Sequence, residues 1–249
     1  MFKMLLYKSW LETRLRFLCG LLLILATVSH TVLGAPNTLR QVEQQMPWEH
    51  MLFAQYLWLT IYNGSLLAAW VILAVVLSNG GLRKEESSGA SEFTLSLPVR
   101  RSTFLQAQSL TALAELFVLG FVPAILIPWQ SRLAGLTFPI KQPLRYAVLL
   151  VCAGVVFHGW SFLLAQLTGN EATSLTISLS SIGAFFVLVK RIRALDSLDI
   201  FDIMSGADFL DRHTFILHGP LPWTTFATTL ALLLGMVWLS IFLIERHAF

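Results

Sequence analysis

The chain has 249 residues, of which 56% are hydrophobic and 12% are charged, and its mean hydropathy is +0.71. Soluble domains carry about 25% charged residues, so this composition excludes an ordinary soluble domain and indicates a single integral membrane domain over residues 1–249. The net charge is only +3, and the basic residues lie near the ends of apolar runs. This distribution is typical of anchors at a lipid surface and argues against a nucleic-acid partner.

The chain begins with a basic segment, residues 1–16, in which four cations are mixed with large apolar side chains. This pattern predicts an N-terminal helix that lies in the membrane interface. A signal peptide cleaved near Ala35 is the alternative, but the charged region is long for one. Cys19 and Cys152 both fall inside apolar runs, so we predict no disulfide between them.

Six apolar runs predict six transmembrane helices and an all-α membrane protein. The predicted spans are residues 17–33, 51–78, 104–127, 145–167, 172–189 and 223–244. We expect Pro36 to end the first span and Pro128 to close the third, because proline interrupts the hydrogen bonding of a helix. The loops between spans alternate between the two sides of the membrane.

A polar segment, residues 190–222, separates the last two spans. It contains five aspartates among apolar side chains: Asp196, Asp199, Asp202, Asp208 and Asp211. The helical spacing of the first three predicts one or two short amphipathic helices on the outer surface. Because the fixed ligand spacing of a calcium loop is missing, a solvated acidic face is favoured over a metal site.

Another polar stretch, residues 80–103, lies between the second and third spans. It starts with a glycine pair, and it carries in order Glu86, Gly89, Glu92, Phe93, Leu95-Ser96-Leu97-Pro98-Val99 and Arg101. The composition of this stretch alone predicts a solvated loop between two membrane helices. Its order of residues, however, is similar to the first cytoplasmic loop of ABC-2 type (type V exporter-like) permeases.

In that family this loop is a coupling helix that sits in a groove of the ATPase subunit. The resemblance therefore implies that the loop docks on an ATPase. The residues assigned to that contact are Glu86, Gly89, Glu92, Phe93, Leu97, Pro98 and Arg101. Phe93 is expected to be the apolar centre of the contact, surrounded by charged side chains, as is common in protein interfaces.

The resemblance also implies the partners. They are two copies of a separate ABC ATPase, which hold the ATP and Mg²⁺, and a second permease subunit, identical or different. This chain itself is expected to bind no cofactor, only membrane lipid. The sequence has no phosphate-binding glycine loop of the form G-x-x-x-x-G-K-[ST], which agrees with an ATPase on another chain.

The charges near the first span predict the orientation. Four basic residues precede this span and Arg40 follows it, so both termini are expected in the cytosol and the protein in the plasma (inner) membrane. The total count of basic residues, nine inside against eight outside, does not discriminate. The cluster Lys190-Arg191-Arg193 lies on the predicted outer side, which contradicts the positive-inside rule that basic residues face the cytosol.

Two ionisable residues, Glu115 and His158, fall inside predicted spans, where they are costly and therefore candidates for function. Counted from Pro128 and Arg145, both lie 13 residues into their spans, at equal depth, so they are expected to be able to pair. The alternative is that each only ties helices together through a hydroxyl or carbonyl partner.

The motifs of hydrolases, metalloproteases and redox enzymes do not occur in the sequence, and we predict no catalytic residue. The predicted function is that of the transmembrane subunit of an ATP-driven exporter. The alternatives are an intramembrane enzyme that uses Glu115 and His158, and a membrane scaffold without transport.

Overall fold

The computed structural model describes residues 2–45, 51–79, 100–168, 170–192 and 199–246. The helices are α1 (Phe2–Gln45), α2 (Phe53–Ser78), α3 (Arg101–Leu133), α4 (Lys141–Leu167), α5 (Glu171–Arg191), α6 (Ile200–Ser205) and α7 (Trp223–Arg246). All except α6 are long and apolar enough to cross a membrane. The described residues contain no strand beyond a single antiparallel bridge, so the predicted all-α membrane fold with six spans is confirmed.

Helix α1 is continuous over 44 residues, about 66 Å at the rise of an α-helix. The prediction of a break at Pro36 is wrong, and the basic residues 2–16 form the first four turns of the same helix as the first span. The helix continues because its flank is packed: Val28, Val32 and Ala35 are buried against the core. That packing outweighs the one hydrogen bond that proline removes. The position of residues 2–16 in the membrane interface stays a prediction.

Helix α3 likewise continues through Pro128 to Leu133, so the prediction that this proline closes the span is wrong. Ile127 and Ser131 on either side of it are fully buried, and tertiary contacts again hold the backbone in a helix. The predicted outer loop of residues 129–144 is therefore much shorter, covering residues 134–140 between α3 and α4.

Helix α2 is not regular. Residues Trp58–Ser65 form a π-helical turn, and within it Gly64 has φ −124° and ψ −110°, outside the helical region. Such widened turns disturb the hydrogen-bond ladder and are frequent at functional sites. The predicted span at residues 51–78 did not include this irregularity, for which Gly64 in the middle of an apolar run is the local signal.

Helices α2, α3, α5, α6 and α7 pack against α4, whereas α1 packs against α2 and α3. The apolar part of α4 is 72% buried, and the apolar parts of α5 and α7 are each only 22% buried. Leu5 of α1, Phe104 of α3 and Ile244 of α7 pack in one cluster. The two chain termini therefore lie at the same end of the bundle, which we call the near end. The opposite end, with residues 134–140 and 199–222, is the far end.

The far end is closed by a loop that follows α6. The Arg145 guanidinium donates to the carbonyl oxygens of Leu217 (2.7 Å) and Gly219. The side chain of Gln142 accepts from the Leu217 N–H at 3.0 Å. The start of α4 therefore holds the loop through its backbone, independently of the side chains in the loop.

Candidate functional site

The polar site at the near end is built around Arg16, in the fourth turn of α1. Its Nη1 donates to the carbonyl oxygens of Val76 (3.2 Å) and Asn79 (2.6 Å), and its Nη2 donates to the Glu171 carboxylate. Val76 and Asn79 lie at the end of α2, and Glu171 is the first residue of α5. One guanidinium therefore joins three helices immediately before residue 80.

The end of α2 is closed by side chains as well as by Arg16. The Asn79 amide donates to the Val75 carbonyl at 2.9 Å, and the Ser78 hydroxyl donates to the Ala74 carbonyl. The last carbonyls of a helix have no partners within it, and burial makes an unpaired carbonyl costly. The bonds to the carbonyls of Val75, Val76 and Asn79 let α2 end inside the protein, where Asn79 is only 2% exposed.

His158 of α4 bridges α2 and α3 in the same region. Its Nδ1 lies 2.7 Å from Ser78 Oγ and its Nε2 lies 3.0 Å from Ser109 Oγ. Because the Ser78 hydroxyl already donates to Ala74, Ser78 accepts from Nδ1–H and Nε2 accepts from Ser109. His158 is fully buried and neutral in this arrangement, and it ties three helices together.

Glu115 and His158 bond to different partners, so of the two alternatives that the sequence left open, the helix-tying arrangement is the one that the hydrogen bonds match. Glu115 Oε1 accepts from the Thr13 hydroxyl of α1 at 2.5 Å, whereas His158 binds the two serines. The residue of α3 that lies level with His158 is Ser109. Ser109 is six residues, or about 9 Å along the helix axis, from Glu115. Counting from Pro128 and Arg145 misplaced the two residues, because α3 extends past Pro128 to Leu133 and α4 begins before Arg145, at Lys141.

Of the residues assigned to the ATPase contact, Glu86, Gly89, Glu92, Phe93, Leu97 and Pro98 lie outside the described residues. Arg101 is the first residue of α3. The chain leaves the described structure at Asn79, beside the Arg16 site, and returns at Arg100. The roles of these residues therefore stay predictions, but the segment that carries them begins at the polar site.

At the far end, Lys190 of α5 forms ion pairs with Asp199 (2.7 Å) and Asp202 (2.6 Å) at the start of α6. This gives Lys190 a role that the positive-inside rule does not predict. Asp199 also caps α6 by accepting from the backbone N–H groups of Phe201 and Asp202. Burial and the neighbouring carboxylates of Asp202 and Asp199 raise the pKa of Asp208.

Residues 199–222 form the predicted short amphipathic helix, α6, followed by a 3₁₀ turn at Ala207–Phe209. The expectation of a uniformly solvated acidic face needs correction, because Asp199 is only 5% exposed. Asp211 stabilises a turn: its carboxylate accepts from the His213 N–H and the Thr214 hydroxyl, which lowers its pKa. Two of the aspartates are therefore structural caps.

A groove of about 510 Å³ lies between the irregular part of α2 and α5. Its walls are mostly apolar, including Leu67, Val71 and Ile182, and the ion pair of Lys190 with Asp202 lies on its rim. Gly183 also lines it, and a Cβ atom added there would meet nothing within 4 Å. The groove is thus an apolar surface with a charged end, created by the π-helical turn and α5.

Comparison with protein families matches residues 39–244 to a family described as ABC-2 family transporter protein. The matched part contains the end of α2, the whole 80–103 stretch and the groove. Comparison with curated proteins and with solved structures finds no match.

Proposed function

The chain belongs to the ABC-2 family of transporter proteins, and from this we propose that it is the permease subunit of an ATP-driven exporter. The observation that carries the proposal is the match over residues 39–244, which includes the 80–103 stretch. As an integral membrane protein without a phosphate-binding loop in its sequence, it takes its energy from a separate ATPase, present in two copies with ATP and Mg²⁺. A second permease subunit, the same or different, completes the complex.

In this mechanism the 80–103 stretch sits on the ATPase in the cytosol, and nucleotide-driven closure of the ATPase pair moves it. That stretch follows directly after the buried end of α2, so its displacement acts on the end of a helix that is bonded to its neighbours. Tilting of the helices then exposes the cargo surface alternately to the two sides of the membrane.

The enzyme alternative is an intramembrane enzyme that uses Glu115 and His158. These residues bond to different hydroxyls, Thr13 for Glu115 and Ser78 and Ser109 for His158. Glu115 and His158 therefore each link helices through hydrogen bonds, which is the role that was set against catalysis for these residues. A scaffold without transport is distinguished from an exporter only by measurement of transport.

The proposal predicts the behaviour of the purified chain. Expressed with its natural neighbouring genes, it is expected to co-purify with a soluble ATPase. Freed from that partner it is expected to hydrolyse no ATP, because its sequence has no loop to hold the phosphates. Nucleotide turnover by the isolated chain, with contaminating ATPases removed, would overturn the assignment, and so would stable purification from the native membrane without any ATPase.

We further predict that both termini face the cytosol and that the far end faces outward. A cysteine at Asp208, which is exposed on the 3₁₀ turn, reports the side of the far end. In a variant lacking Cys19 and Cys152, Asp208→Cys is expected to react with a membrane-impermeant maleimide in intact cells. Glu245→Cys at the near end is the matched control and is expected to react only after permeabilisation. The reverse pattern would invert the topology.

We assign cargo contact to the groove between α2 and α5, because an apolar wall with a charged rim suits an amphiphilic molecule. Gly183→Trp should place a large ring in the groove, since Gly183 lines it and a Cβ atom at this position meets nothing within 4 Å. With a compound whose efflux depends on the complex, found in a screen of amphiphiles, this variant is expected to lose most of that efflux. Gly235→Trp, at an open position on α7 outside the groove, should retain it. Equal efflux from both variants would remove the groove from the cargo path.

A further inference from the structure

Three chain segments that lie far apart in sequence meet at one side chain. Arg16 of α1 holds the end of α2 through the carbonyl oxygens of Val76 and Asn79, and it holds the start of α5 through Glu171. The side chains of Arg16 and Glu171 are only 26% and 29% exposed. Their contact is therefore a partly buried one that joins helices, unlike an ion pair in free solvent.

The chemistry of this site requires arginine. A guanidinium offers several N–H groups in a planar fork, so it can serve two carbonyls and a carboxylate together, whereas lysine has a single ammonium. The carbonyl end of α2 carries partial negative charge, and Glu171 adds a full one at the start of α5. Arg16 donates to both and so brings one positive charge to the two negative groups.

The position of the site matters as much as its chemistry. Residue 80 follows directly after Asn79, so the part of any force on the 80–99 segment that is passed toward α2 reaches the carbonyl that Arg16 holds, and the other end of the segment joins α3. Through the same guanidinium the force passes to α1 and to α5. Helix α5 also forms one wall of the groove, so α5 connects Arg16, which holds its start, to the groove.

We propose that Arg16 is a positioning residue that transmits movement of the 80–99 segment to α1 and α5. The inference rests on the proposed function, because it takes that segment as the part driven by the ATPase. Arg16 itself need not contact the ATPase, and it lies outside the residues whose order resembles the family loop. Docking of the ATPase and transmission of its movement are then separable properties of the permease.

The experiment uses the complete complex of the chain with its co-purifying ATPase, reconstituted in liposomes. The variants are Arg16→Gln, Arg16→Lys and Glu171→Gln, and the control is Arg14→Gln, which removes an exposed charge two residues away on α1. Three quantities are measured for each: the thermal unfolding midpoint, the amount of ATPase that co-purifies, and the ATP turnover of the complex relative to the ATPase alone.

Arg16→Gln is expected to keep the full amount of bound ATPase and to lower the permease-dependent turnover about fivefold or more, the range typical of coupled sites. Glu171→Gln should act in the same direction. Arg16→Lys should fall between wild type and Arg16→Gln, because it keeps the charge but not the fork. Arg14→Gln should behave as wild type.

Unchanged turnover in Arg16→Gln would overturn the proposal, and so would loss of the bound ATPase or of the folded bundle, since Arg16 would then serve docking or stability. Failure of the proposed function gives a different result: no ATPase would co-purify with the wild-type chain. If wild type and Arg14→Gln bind and stimulate the ATPase while Arg16→Gln and Glu171→Gln bind but do not stimulate it, the transmission role is established.

Discussion

Gly154→Ala is expected to destabilise the helix bundle by about 1–3 kcal/mol, although it adds only one methyl group. A Cβ atom at Gly154 would lie 2.3 Å from Cζ3 of Trp70 and 2.9 Å from Cε of Met204. The indole of Trp70 is fully buried, and its Nε1 donates to the Leu116 carbonyl at 3.3 Å. On its other side Gly120 leaves no more room, because a Cβ there would approach Nε1 to 3.2 Å. The ring therefore cannot move aside.

The measurement is the thermal unfolding midpoint of the purified chain in detergent. Gly235→Ala is the matched control, since a Cβ at that helical position meets nothing within 4 Å and should leave the midpoint nearly unchanged. Combining Gly154→Ala with Trp70→Phe should cost less than the sum of the two single changes, because the smaller ring makes room for the methyl group. Equal midpoints for Gly154→Ala and Gly235→Ala would show that the Trp70 contact does not limit packing.

Phe93→Ala is expected to weaken binding of the ATPase by about 1–3 kcal/mol, the effect of truncating a central interface residue. The other predicted cytoplasmic segments are poorer candidates, because residues 1–16 are expected to lie against lipid and the turn at residues 168–171 is too short. The 80–103 stretch combines length, charge and a large apolar side chain. Glu92→Lys should weaken binding further, through loss of a pair or contact between like charges. Phe93 and Glu92 lie outside the described residues, so this expectation comes from the sequence and from the proposed function.

The measurement is pull-down of the ATPase by each variant at matched expression. Phe117→Ala, at an exposed position on the membrane-spanning part of α3, controls for loss of a phenylalanine, and Glu245→Lys at the near end controls for charge reversal. Both controls should bind as wild type, and all variants should insert normally. If Phe93→Ala and Glu92→Lys leave binding and transport intact, the 80–103 stretch is not the coupling element.

The two predictions test different levels of the structure. The Gly154 variant tests the packing of α2, α3 and α4 around the indole of Trp70. The Phe93 variant tests contact with the ATPase and not packing within the bundle. A variant at the first position should therefore lose both stability and ATPase binding, and a variant at the second should lose only binding.

The spans were predictable because their signal is local. A run of about 20 apolar residues is required to cross the hydrocarbon core, and the bilayer demands it irrespective of packing. The family was predictable for a similar reason, since the order of residues from Glu86 to Arg101 is readable without a fold. The short helix before the last span could also be predicted, from the spacing of Asp199 and Asp202 with apolar neighbours.

The ends of the helices were not predictable from the same signals. Pro36 and Pro128 predict helix ends, yet α1 and α3 continue through these prolines. The free energy that decides this comes from side chains on other helices that pack against the flanking residues, such as Val32 and Ile127. A local rule about proline contains no information on that packing.

Which polar groups meet was likewise decided only by the tertiary structure. The sequence indicates that Glu115 and His158 are costly in a membrane, but their partners, Thr13 for Glu115 and Ser78 and Ser109 for His158, depend on the rotation and axial shift of each helix. Arg16 and Glu171 are 155 residues apart, and no spacing rule connects them. The sequence by itself determined the membrane class, the number of spans and the family of this protein. Packing determined which side chains meet, because a membrane helix satisfies its own backbone and leaves its buried polar side chains to be paired across helices.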